Sequence, residues 1–98
     1  MQIEFQRSGG YAGNVLATSV DTGELPDPEA DELTQLVERA DLPALAGRPR
    51  GPGRPDRFQY DLVVTVEDGR YEVTLGEAEV PETARPLLDR LVELARQR

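Results

Sequence analysis

The sequence contains no cysteine, histidine, tryptophan or lysine. Without cysteine there is neither a disulfide nor a thiolate, and without histidine the commonest transition-metal ligand and the usual base of a nucleophilic triad are both missing. Carboxylates are the only conventional side-chain bases left. Aromatic side chains are scarce, two Phe and three Tyr. No apolar run exceeds three or four residues, far short of the roughly 20 needed to cross a bilayer as a helix.

Because lysine is absent, all 11 basic residues are arginines, set against 19 acidic ones for a net charge of −8. A protein that neutralises nucleic-acid phosphates or an anionic membrane surface needs the opposite balance, so neither is an expected partner. Nothing near Met1 resembles a basic segment followed by an apolar one, and a cytoplasmic product is expected. The length suits one small domain over residues 1–98 and not a two-domain enzyme. With glycine counted, the apolar share lies just under the roughly 45–50% usual for globular domains, so a modest core forms without staples.

Ile3 and Phe5 alternate with Gln2, Glu4 and Gln6, the period-two pattern of a strand with one buried face, and the strand is expected to stop at Ser8. Three glycines in the next segment, Ser8-Gly9-Gly10-Tyr11-Ala12-Gly13, suit backbone angles that other residues resist, and Asn14 to Val20 can return as the partner strand. Pro26-Asp27-Pro28 announces a helix with Asp27 as N-cap and Pro28 at its first position; Leu33, Leu36, Val37 and Ala40 form its apolar stripe. Leu42 to Ala46 reads as a short turn tucking two leucines inward, and Gly47 to Asp56 as a loop without an apolar anchor. The alternation of Phe58, Tyr60, Leu62, Val64 and Val66 predicts a strand, and Asp68-Gly69 a tight turn into a second strand through Tyr71, Val73 and Leu75. After Pro81 a last helix carries Leu87, Leu88, Leu91, Val92, Leu94 and Ala95, with Thr83 its expected N-cap and Pro86 in its first turn. The fold class is therefore α+β: an antiparallel four-stranded sheet in ββαββα order with two helices packed on one face.

Acidic clusters are numerous but fall on exposed faces. Asp27, Glu29, Asp31 and Glu32 complement the dipole of a helix start, and Asp61, Glu67, Asp68 and Glu72 lack the spacing of a calcium loop. No metal, no cofactor and no catalytic residue is assigned. The glycines at 9, 10 and 13 lack the Lys-Ser/Thr of a phosphate loop and join two strands where such a loop would open a helix. Ser8 has no base to activate it. Arg48, Arg50, Arg54 and Arg57 against Asp56 make the central loop basic, suited either to docking on an acidic partner or simply to keeping a connection solvated. Tyr11, at the apex of a glycine-rich hairpin, either packs back over the hairpin or is offered to a partner as an anchor.

Ile3-Glu4-Phe5-Gln6-Arg7-Ser8-Gly9-Gly10-Tyr11-Ala12-Gly13, with Val20-Asp21-Thr22, Leu25-Pro26, Phe58-Gln59-Tyr60, Val80-Pro81 and Arg85-Pro86-Leu87-Leu88-Asp89, resembles the emfourin family over almost the full length. The resemblance implies a small bacterial protein inhibitor of thermolysin-type, protealysin-like zinc metallopeptidases. It fits a chain without catalytic equipment, because an inhibitor needs only a pre-ordered surface of roughly 800 Å² to fill a cleft. On this reading Ser8, Gly9, Gly10, Tyr11, Ala12, Gly13 and Asn14 form the partner-binding tip, Arg48, Arg50 and Arg54 form a second edge, and the free protein is a monomer. The alternatives are a regulatory or scaffold domain docking elsewhere through a sheet edge or the basic loop, and a carboxylate-only enzyme, which needs a deep groove that so short a chain rarely builds.

Overall fold

The computed structural model describes residues 1–10, 15–46 and 57–97. Strands β1 (Gln2–Gly9), β2 (Leu16–Asp21), β3 (Phe58–Val66) and β4 (Gly69–Gly76) form one antiparallel sheet in the order β2-β1-β3-β4. Three helices, α1 (Asp27–Ala40), α2 (Leu42–Ala46) and α3 (Arg85–Arg96), complete it, with short 3-10 turns after β2 and β4. The α+β class and the ββαββα succession read from the periodicities are present, with α2 added as a single extra turn of helix.

The period-two alternation decides which face is covered. Ile3, Phe5, Val20, Tyr60, Leu62, Val64, Val73 and Leu75 point to the helix side and are buried, whereas Gln2, Glu4, Gln6 and Thr65 remain exposed on the other face. Leu33 and Ala40 of α1, Leu42 and Leu45 of α2, and Leu87, Leu88 and Leu91 of α3 close the same core. Burying each such aliphatic side chain contributes about 1.5–3 kcal/mol, enough to hold two amphipathic helices whose other faces are strongly charged. On the open face Asp61 accepts hydrogen bonds from Thr74 Oγ1 at 2.9 Å and Gln59 Nε2 at 3.1 Å.

Four local expectations are corrected. Strand β1 runs one residue past Ser8, to Gly9, because β3 continues to pair with it there. Asp27 is not the N-cap of α1: Pro26, in extended conformation, takes that place, its carbonyl receives the first helical bond from Ala30 N at 3.0 Å, and Asp27 lies inside the first turn. Thr83 does not cap α3 either. The chain is already wound from Pro81, whose carbonyl accepts from Ala84 and Arg85, so Ala84 stands at the cap position without a side-chain bond. In the second hairpin Val66 pairs with Gly69, leaving Glu67 and Asp68 as the turn residues, so Gly69 opens β4 and does not sit in the turn. The expected inward tuck of Leu42 and Leu45 is present, but as helix α2: Asp41 reverses the chain in the left-handed region at φ 54°, and its carbonyl accepts from Ala44 N and Leu45 N.

Candidate partner-binding site

Both β1 and β3 reach one end of the sheet, where Gly9 lies opposite Phe58. Beyond that pair the chain turns through Gly9 at φ 88° and Gly10 at φ 82°, a region that costs a residue with a side chain about 1–2 kcal/mol. Gly10 N–H donates to Arg57 O at 3.3 Å and continues the β1–β3 ladder one step into the loop. Space is as restrictive as torsion: a Cβ on Gly9 would stand 2.5 Å from Arg57 O, and one on Gly10 2.7 Å from Cε1 of the Phe58 ring. The two glycines therefore let their own backbone lie directly against Arg57 and Phe58.

That start is itself fixed. The Glu77 carboxylate, just after β4, accepts from Phe58 N–H at 3.4 Å and pairs with the Arg57 guanidinium at 3.4 Å, while the Glu77 carbonyl accepts from Arg85 at 3.5 Å. The Arg7 guanidinium carbon lies 4.1 Å from the centroid of the half-buried Phe58 ring, a cation–π contact that holds the ring at the loop base. Phe58 thus belongs to the site as well as to the strand. Sequence reasoning placed it in the alternating pattern of β3 and in the Phe58-Gln59-Tyr60 segment of the family resemblance but not among the site residues, because the cross-strand register that sets it against Gly9 and Gly10 is a tertiary fact.

Of the sequence-derived candidates, Ser8, Gly9 and Gly10 meet at this end of the sheet, half-buried. Tyr11, Ala12, Gly13, Asn14, Arg48, Arg50 and Arg54 lie outside the described residues. Among the described residues no three acidic side chains are grouped to hold a metal ion, and no helix is long and apolar enough to cross a membrane. The developed feature at this end of the sheet is the backbone at Gly9 and Gly10 held against Arg57 and Phe58.

The family model for Emfourin matches residues 5–92, and the chain belongs to the emfourin family. Membership implies a protease-inhibitor role, with a protease as the partner. Comparison with curated proteins and with solved structures gives no significant match.

Proposed function

We propose that residues 1–98, as one domain and a monomer, inhibit thermolysin-like, protealysin-type zinc metallopeptidases in the cytoplasm by stoichiometric occlusion of the active-site cleft. The observation that carries this reading is the family match over residues 5–92, which includes the Ser8-Gly9-Gly10 segment. The pre-ordering of that segment by Arg57 and Phe58 supports it further, since a surface fixed before binding loses less conformational entropy on association.

In this mechanism the tip from Ser8 to Asn14 enters the cleft with Tyr11 as its apolar anchor, and a main-chain carbonyl or a neighbouring carboxylate displaces or bridges the water on the enzyme's zinc. Arg48, Arg50 and Arg54 contact acidic cleft walls. The glycines bring the backbone close to the enzyme, and anchoring at Gly9 and Gly10 opposes the movement that would let the tip be cut as a substrate. Titration of the purified protein into thermolysin and into a protealysin-like peptidase, read with a chromogenic peptide, is expected to abolish activity near a one-to-one ratio. Undiminished proteolysis under a large excess of the chain overturns the proposal. Tyr11→Ala, compared with Arg50→Ala and Arg54→Ala, then separates the edges: an unchanged inhibition constant for Tyr11→Ala removes the tip from the mechanism.

A further inference from the structure

Strands β3 and β4 pair as far as Gln59 and Gly76, and one more step of the same register would set Glu77 opposite Phe58. The ladder ends there, because Glu77 opens a 3-10 turn, Glu77–Glu79, and Phe58 N–H donates to the Glu77 side chain, to Oε1 at 3.4 Å. Successive residues of an antiparallel strand direct their backbone groups alternately to the two neighbours. Arg57 O accepts from Gly10 N–H on the β1 side, and Phe58 N–H donates on the β4 side. Two consecutive residues thus join the backbone at Gly10 to Glu77 across the width of β3.

Glu77 is itself held. Arg57 Nη1 lies 3.4 Å from its second oxygen, Oε2, and Arg85, the first residue of α3, donates to its carbonyl at 3.5 Å. The two contacts of the carboxylate differ in weight. The Arg57 and Glu77 side chains are 47% and 32% exposed, so solvent screens their ion pair, whereas the half-buried Phe58 N–H has an acceptor there that water replaces poorly. Among the described residues Glu77 bonds none of the partner-binding candidates, and it reaches Gly10 only through Arg57 and Phe58.

We infer that Glu77 is a positioning residue for inhibition: by accepting from Phe58 N–H its carboxylate holds the start of β3 in place, so that Gly9 and Gly10 keep one backbone arrangement before the peptidase arrives. This role rests on the inhibitor reading and deepens it. A partner that binds only the ordered arrangement has its apparent affinity reduced by the fraction of free chains that hold it. Lowering that fraction to between about a third and a tenth weakens inhibition about three- to tenfold. The loss falls on association, since fewer encounters are productive, while dissociation from the same bound geometry is untouched. A side chain that itself touched the enzyme would act mainly on dissociation.

Glu77→Ala and Glu77→Gln remove the same charge, but only glutamine keeps an oxygen for Phe58 N–H. With a protealysin-like peptidase, Glu77→Ala is expected to melt within a few degrees of wild type, to associate about three- to tenfold more slowly and to dissociate at the wild-type rate. Glu77→Gln is expected to stay within about twofold of wild type in both rates. In the free chain, amide exchange of Gly10 followed by NMR is expected to quicken in Glu77→Ala by a larger factor than that of Val64 in the middle of β3. Wild-type inhibition together with an unchanged association rate for Glu77→Ala, with Glu77→Gln as impaired as Glu77→Ala, or with Gly10 exchange unmoved, overturns the positioning role and leaves the inhibitor reading standing. In the wild-type chain the Gly10 and Phe58 amides are expected to exchange more slowly than those of an unstructured peptide, and unprotected amides there overturn the role even if Glu77→Ala fails to fold. Absence of wild-type inhibition overturns both readings.

Discussion

Gly9 and Gly10 are adjacent and both have positive φ, yet their neighbours differ in kind. A side chain on Gly9 meets the Arg57 carbonyl, backbone just before β3 that Gly10 N–H already bonds, whereas one on Gly10 meets the edge of the Phe58 ring, a side chain that can shift at the expense of its Arg7 contact. Gly9→Ala is therefore expected to cost on the order of 2–3 kcal/mol in urea unfolding, and Gly10→Ala roughly 1 kcal/mol or slightly more. Gly69 is the control: its φ is not positive and nothing stands within 4 Å of a Cβ there, so Gly69→Ala is expected to lie within about 0.5 kcal/mol of wild type or to gain slightly. Should Gly9→Ala unfold at the wild-type urea midpoint, the glycine would be kept for what the loop touches and not for the backbone beneath it.

At the scale of elements, the α1–α2 junction departs from what a helix end prefers. Asp41 holds a left-handed conformation at the C-terminus of α1, where glycine or asparagine is less strained and where negative charge opposes the helix dipole. Asp41→Gly is expected to raise the thermal midpoint, by the equivalent of about 0.5–1 kcal/mol, and a fall would show that the aspartate holds a contact worth more than its strain. In α3, Leu91 is fully buried beneath the sheet, and Leu91→Ala is expected to cost about 2–5 kcal/mol in the same measurement. Strands β1, β3 and β4 and helices α1 and α3 were legible because each buries one face, and burial writes a period of 2 or 3.6 into the sequence. The caps were not legible. Asp27 and Thr83 are good cap residues by type, but Pro26 and Pro81 supplied carbonyls that started the winding elsewhere. Register was equally hidden, since Phe58 against Gly9 follows from pairing between strands distant in sequence. Gly9 and Gly10 were legible as positions that need unusual backbone angles, and their seat against Arg57 and Phe58 was not.

Charge is distributed unevenly over the whole molecule. The described residues carry 18 acidic and 7 basic side chains, and Arg48, Arg50 and Arg54 belong to a segment, residues 47–56, in which basic residues outnumber acidic ones. A body of this sign is repelled by an acidic protein surface at long range, so on the proposed mechanism approach to an acidic cleft wall depends on the arginine-rich segment leading. Such steering acts on the encounter rate and is screened within about 10 Å at 0.1 M salt, whereas an apolar anchor acts on the dissociation rate and is nearly indifferent to salt. Replacing Arg48, Arg50 and Arg54 by alanine takes the net charge from −8 to −11. The triple variant is expected to slow association with the peptidase at low ionic strength, to flatten the salt dependence of that rate, and to leave dissociation almost unchanged. Tyr11→Ala is expected to do the reverse. Progress curves of inhibition recorded across a salt series separate the two rates. An association rate in the triple variant equal to wild type at low salt would mean that the arginine loop keeps an acidic chain solvated and has no part in finding the enzyme.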